Sequence, residues 1–152
     1  MILGAWGMKD ERIIEIEFAS DLMRDAFELR YEVFVDEQGV PRELEVDEFD
    51  AGAIHLVAIR RDQVVGTLRM LEHDGAAKIG RVAVRAAARR SGIGARLMER
   101  AAAIALQRGL SEVVLHAQVT VAGFYRRLGY VEEGDRFDEA GIPHIAMRKR
   151  IR

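Results

Sequence analysis

The sequence predicts an α/β (α+β) fold in which helices pack on the faces of a mixed sheet. Three observations carry this. Some short segments alternate apolar and polar residues with the period of a strand, while others repeat apolar residues every three to four positions, the period of a helix. Their order is βα, three strands, α, β, α, β, which mixes hairpin-linked strands with crossover helices and excludes an all-parallel doubly wound sheet. No repeat, low-complexity run or linker interrupts the 152 residues, so 1–152 is expected to be a single domain. A domain of that size buries about two-thirds or more of its unfolded surface, enough for both a core and a cleft.

The first strand is read at "IIEIEF", Ile13 to Phe18. Leu22, Ala26, Leu29 and Val33 then recur at helical spacing behind Ser20, a suitable N-cap. An acidic, poorly periodic stretch runs from Asp36 to Ala53. After it, "IHLVAIR" and "VVGTLRML" flank "RDQ" and read as a hairpin, and "HDG" breaks the chain with His73 expected in the turn. "KIGRVAV" is the next strand. Ile93, Leu97, Ala101, Ile104 and Ala105 form one apolar stripe on a helix that stops at Gly109, a residue suited to the left-handed cap. "EVVLHA" follows as a strand, "VAGFYRRL" as a short helix stopped by Gly129, and "GIPHIAMRK" as the closing strand.

Composition narrows the function classes. Apolar residues make up 49% and charged residues 32%, with 2 prolines, which is a globular composition. Cysteine is absent, which removes disulfides, thiolate metal sites and cysteine nucleophiles and fits a reducing, cytoplasmic setting. A formal charge of −2 speaks against a dedicated nucleic-acid binder, and the basic tail "RKRIR" is short and lacks interleaved aromatics. "MILGAWGM" is apolar but short, has no basic start and is followed by "KDER", so neither a signal peptide nor a membrane span is expected. Because Met8 precedes the first patterned segment, residues 1–7 are expected to be a loose extension.

The chemistry begins where the strand "RVAV" runs into a glycine-bearing loop and then a helix. Gly92 and Gly94 let a ligand approach main-chain N–H groups that have no partner inside the helix. Such a terminus attracts anions, and Arg89 and Arg90 add charge, so a pyrophosphate cradle is one reading. A plain turn beside a solvated arginine face is the other. Known nucleotide loops do not fit. A Rossmann fingerprint needs a small residue where Leu97 stands and an acid where His116 stands, and a Walker loop needs Gly-Lys-Ser/Thr where Gly94, Ala95 and Arg96 stand.

"RVAV" followed by Arg89-Arg90-Ser91-Gly92-Ile93-Gly94 resembles the strand and the Arg/Gln-x-x-Gly-x-Gly/Ala loop of the GNAT superfamily, the acetyl-coenzyme A-dependent N-acyltransferases. "AGFYRRLGY" resembles that family's second cofactor-contacting helix, and "LRYEVFVDEQGVP", "DEFD" with "IHLVA", and "GIPHIAM" resemble its ElaA-like branch. The resemblance spans most of residues 28–147. It implies a GNAT-like mixed, mostly antiparallel central sheet of about six to seven strands flanked by about four helices. It further implies that main-chain groups of Val82 and Val84 pair with the pantetheine arm of coenzyme A as if it were another strand. Arg89, Arg90, Ser91, Gly92, Ile93, Gly94 and Ala95 would then wrap the pyrophosphate. A backbone N–H at Val82 or Ala83 would polarise the thioester carbonyl. Gln118 stands where many members have an asparagine facing the arm, and Phe124 would pack against the sheet or the pantetheine.

Transfer of an acetyl group from acetyl-CoA to an amine needs a neutral amine, a polarised carbonyl and a proton for the departing thiolate. The resemblance gives the last task to Tyr125. For the general base, His144 in "GIPHI" is the candidate, ahead of His116, Glu37 and Asp47. His55, His73, His116 and His144 have no ligand spacing, so no metal is expected. Seven acidic residues against one arginine between Asp36 and Asp50 either favour a cationic acceptor or form a solvated loop. Arg85, Arg89, Arg90, Arg96 and Arg100 concentrate positive charge at the opposite, phosphate end. The expected function is therefore acetyl transfer from acetyl-CoA to a primary amine of a small molecule or peptide. The alternative is a non-catalytic coenzyme A-binding sensor or regulatory module. Neither nucleic acid nor membrane is an expected partner, and apolar strands near the end of such a domain can support a homodimer.

Overall fold

In the computed structural model, which describes residues 11–152, alternation drives the first half of the chain into a meander. The strand β1 (Glu11–Ile16) is followed by the helix α1 (Leu22–Arg30), the short helix α2 (Arg42–Glu45), and the strands β2 (Ile54–Arg60), β3 (Gln63–His73) and β4 (Ala76–Val84). These four strands pair antiparallel in sequence order. Residues 1–7, the expected extension, lie outside the described residues. Two tight turns set the register. Arg61 and Asp62 have φ of 50° and 64°, and Asp74 and Gly75 have 50° and 77°, the doubly left-handed turn whose twist matches the flanking strands. The hairpin turn is thus two residues long, with Gln63 already paired to Arg60, and His73 is not a turn residue but the last of β3, opposite Ala76.

The N-cap of α1 is Asp21, one residue past the expected Ser20, and makes no side-chain cap bond, while the Ser20 Oγ accepts the Leu22 N–H at 3.2 Å. After Arg30 the chain winds on through wider, π-helical turns from Tyr31 to Glu37.

In the second half, the helix α3 (Ile93–Gln107) carries the chain across the sheet, so β5 (Glu112–Gln118) lies parallel to β4. The helix α4 (Ala122–Arg127) precedes β6 (Val131–Glu139) and β7 (Ile142–Arg150), and the sheet order is β1-β2-β3-β4-β5-β7-β6. Every pair except β4/β5 is antiparallel. The sequence reading assigns no strand to Val131–Glu139. This edge strand is exposed along its whole length except at Phe137, so no buried face imposes an alternation to read. Its charges are those of a protected sheet edge.

Period-two alternation sorts the strand residues into two cores. On one face α3 and α4 pack against Leu56, Leu68, Met70, Ile79, Val113 and Leu115. On the other, Met23, Ala26, Leu29 and Val33 of α1 and its continuation pack against Val57, Ile59, Val64 and Ala83. α3 sits close to the sheet because Gly66 has no side chain. A Cβ there would lie 2.9 Å from both Ile93 Cγ2 and Leu97 Cδ1.

Candidate active site

The one parallel pairing in the sheet is short. β4 and β5 are in register only from Ala76 to Ile79 against Glu112 to Leu115. Beyond it the β3/β4 ladder shifts between Thr67 and Arg69, and Arg81 takes φ of 54°, a bulge that bends β4. Gly80 to Val84 and His116 to Gln118 therefore have no partner in each other, and the sheet opens into a gap between β4 and β5. The Arg85 N–H donates to the Val65 carbonyl at 2.8 Å, so by alternation Ala83 turns its main chain to β3 while Val82 and Val84 turn theirs to the gap.

The loop after β4 ends at the start of α3. Arg90 and Gly92 have φ of 63° and 85°, and no side chain caps the helix, which leaves the first-turn amides of Ile93, Gly94 and Ala95 without a side-chain acceptor. The Ser91 hydroxyl donates to the Ala88 carbonyl at 2.5 Å and holds the loop's bend. A Cβ on Gly94 would lie 3.2 Å from Phe124 Cζ and 3.9 Å from Val84 Cγ2, so Val84, Gly94 and Phe124 meet at one point. Arg89 lies across this lip. Its Nε donates to the Val84 carbonyl at 2.8 Å, and its Nη2 donates to both Glu37 oxygens at 2.7 and 2.9 Å. The expected cluster of five free arginines is thinner than its sequence spacing. Arg85 pairs with Glu32 and Arg96 with Glu11, while Arg90 and Arg100 stay exposed.

Tyr125 belongs to the α3-side core and is 8% exposed, edge-on to Phe124 at 5.0 Å and to Tyr130 at 6.0 Å. Burial pushes its phenol up to about 12, and burial with the neighbouring Tyr125 pushes Tyr130 up as well. His144 is on the opposite face, since its neighbour Ile145 joins the α3-side core. It lies across from Gln118 in register and stacks on Phe137 at 6.0 Å. Its Nδ1 donates to the Ile142 carbonyl at 2.6 Å, and its Nε2 is 3.7 Å from a Glu139 oxygen. His116 shares that face, its Nδ1 3.0 Å from the other Glu139 oxygen. The two catalytic candidates thus lie on opposite faces of the sheet.

Gln118, at the end of β5, makes a contact the sequence reading misses. Its Nε2 donates to Gln38 Oε1 at 2.7 Å, and Gln38 Nε2 donates back at 3.4 Å. The pairing joins residues 80 apart and carries no periodic signal.

The acidic stretch is a correction. Glu45, Asp47 and Asp50 are neither solvated nor free for a cationic ligand, because three arginines from distant elements consume them. Arg30, 1% exposed, donates from Nε to Glu45 and from Nη1 to Asp50, each at 2.7 Å. Arg69 reaches Asp47 at 2.6 Å and Asp50 at 3.1 Å, and the bulge residue Arg81 donates from Nε to the Glu45 carbonyl at 3.1 Å. Burial by itself would raise the Asp50 carboxyl, but hydrogen bonds from Arg30 and the Asp47 amide, with the charges of Arg30 and Arg69, hold it at about 2. Burial wins at Glu45, whose carboxyl is raised despite Arg30. His55 donates from Nε2 to the Asp50 carbonyl at 2.8 Å and is pushed down by burial. Of the stretch, Asp36, Glu43 and Glu48 stay exposed.

Among the described residues there is no group of three or more His, Asp or Glu side chains placed to hold a metal ion, and no helix long and apolar enough to cross a membrane. Residues 15–151 match the family described as an acetyltransferase (GNAT) domain. Over 128 residues the chain is 38% identical to a Bacillus subtilis protein named as an uncharacterized N-acetyltransferase, YjcF, covering 84% of this chain and 91% of that one. It is 30% identical over 129 residues to Escherichia coli ElaA, covering 82% of this chain and 84% of ElaA. The crystal structure of an acyl-CoA N-acyltransferase from Pseudomonas aeruginosa, 38% identical, superposes with a TM-score of 0.81 over 91% of this chain and 99% of that one.

Proposed function

Since the chain belongs to the GNAT acetyltransferase family, we infer that it moves an acetyl group from acetyl-CoA directly to a primary amine of a small molecule or peptide. One observation carries the reading. The gap-facing main chain of Val82 and Val84 ends beside a helix terminus whose amides have no side-chain cap, Val84 Cγ2 lying 3.9 Å from where a Cβ on Gly94 would be. An extended amide-bearing arm followed by a diphosphate has that shape. The point where Val84, Gly94 and Phe124 meet is tight enough that any side chain at position 94 would fill it. Acetyl-CoA would supply an acetyl thioester, with the coenzyme A thiolate as its leaving group.

The chain's own residues do the rest. Val82 and Val84 align the arm, Ala83 or Val82 offers an N–H to the carbonyl oxygen, and the loop from Arg89 to Ala95 takes the diphosphate. Gln118 borders the arm from the β5 side. Tyr125 acts as a hydrogen-bond donor rather than a full acid. A phenol at about 12 lies well above an ordinary thiol at about 8.5, so complete transfer of its proton to a thiolate is uphill by about 5 kcal/mol. A hydrogen bond still stabilises the charge growing on sulfur. On the other side of the gap, His144 takes the amine's proton at Nε2, directly or through water.

The test is thiol release with acetyl-CoA and a panel of primary amines, beside calorimetric binding of coenzyme A. Release with at least one amine is expected. Binding with no release across the panel would replace the enzyme by a sensor, and no binding at all would remove the reading. Gly94→Glu puts a carboxylate where the diphosphate would sit and should abolish coenzyme A binding while the melting curve stays cooperative.

A further inference from the structure

Glu37 and Gln38, consecutive residues at the end of the π-helical turns, touch both lips of the gap. Gln38 is tied to Gln118 on the β5 lip. Glu37 chelates Arg89 on the β4 lip, and Arg89 in turn occupies the Val84 carbonyl. That carbonyl is a group the proposed function gives to the cofactor arm, and Arg89 is the first residue of the loop it gives to the diphosphate. Held this way, Arg89 has only Nη1 left to offer a diphosphate, and an arm pairing with the Val84 carbonyl must displace its Nε. Its planar fork suits a carboxylate and a phosphate equally well. The pair with Glu37 is exposed, 41% on the arginine and 35% on the carboxylate, and such pairs are weak, so the exchange is easy.

When Arg89 moves, the Glu37 carboxylate is left without its partner while Gln38 keeps the segment anchored beside the gap. A primary amine arrives as an ammonium at neutral pH, with a reference pKa of about 10.4 for a lysine-type amine. We propose that Glu37 is the carboxylate that receives the acceptor's ammonium, and that Arg89 keeps it engaged until the cofactor's diphosphate draws Arg89 away. This rests on the acetyl-transfer reading and adds a named acceptor residue and an order to it. Cofactor and amine then bind with positive coupling, which is reciprocal by linkage. Coordination of the ammonium precedes its deprotonation, and Glu37 forms and breaks no covalent bond.

The experiment is a double-mutant cycle read by calorimetry with coenzyme A alone: wild type, Glu37→Gln, Arg89→Gln and the double variant. Freed from its internal competitor, Arg89 in Glu37→Gln should bind coenzyme A about two- to five-fold more tightly than wild type. Arg89→Gln should bind more weakly, and adding Glu37→Gln to it should give no further gain. An equal gain in both backgrounds would mean that Glu37 acts only as a distant negative charge, and weaker binding by Glu37→Gln would mean that it supports the loop; either overturns the exchange. With an amine that the wild type acetylates, Glu37→Gln should raise the amine KM about ten-fold or more, opposite in sign to its effect on coenzyme A. An unchanged amine KM overturns the acceptor role. A wild type that binds no coenzyme A defeats the underlying function instead, so the two failures are told apart.

Discussion

The two sides of the gap are held by different physics. On the β4 side, Arg30, Arg69 and Arg81 lock Glu45, Asp47 and Asp50 into a network whose central members are 1–2% exposed. On the β5 side, Gln38 with Gln118 and the pair of histidines around Glu139 make contacts that are half-buried or exposed. Removing one partner from a buried network strands a charge in the interior, whereas an exposed contact is readily exchanged for water. The buried network behind β4 is therefore a fixed wall, whereas the exposed contacts at the mouth of the gap, among them Arg89 with Glu37 on the β4 lip, can turn over.

The sharpest way to break that contrast is Arg30→Ala. It leaves Glu45 and Asp50 buried without their cation and should cost about 3 to 5 kcal/mol, lowering Tm by on the order of 10 °C in a thermal melt. A loss under about 1 kcal/mol would show the wall to be no firmer than the other lip. Next in size is Tyr125→Phe, a change that spares both lips. It should lower turnover by up to about 10²-fold with little change in coenzyme A affinity. Because the phenol sits at about 12, the wild-type rate should show no descending limb from Tyr125 between neutrality and about pH 10.

Acid should act on the wall with a definite sign. Asp50 has a lowered pKa when folded, about 2 against 3.8, so its contribution is present above pH 4 and is lost as pH falls toward 2. That loss amounts to about 2 kcal/mol, and Glu45, whose carboxyl is raised, offsets part of it by protonating on the way. Urea midpoints taken between pH 7 and 3 should fall more steeply for wild type than for Asp50→Asn. The smallest effect belongs to the β5 lip. Gln38→Ala should change stability by no more than about 1 kcal/mol, and a larger loss would make this contact part of the frame.

Much of this architecture was legible in the sequence because local rules governed it. The α3 stripe, the glycine that ends it and the two apolar hairpin strands follow period and turn chemistry. The loop from Arg89 to Ala95 was readable because glycines mark places where main chain must be reached. What escaped has a common cause. β6 has no buried face to impose a pattern, Arg30 finds Glu45 and Asp50 only through the tertiary fold, and Gln38 meets Gln118 across half the chain. The charge counts misled for the same reason. Among the seven acids of that stretch, Glu45, Asp47 and Asp50 look solvated or available until the arginines that enter from α1, β3 and β4 are placed among them.

The extra residue at Arg81 has a consequence for how the opening persists. A sheet gains from every rung it completes, and deleting one residue there would let β4 run straight on and zip against the far end of β5. The shortened protein would make more rungs and lose the gap. In this chain the vacancy is kept by a single left-handed residue that denies the sheet its own completion.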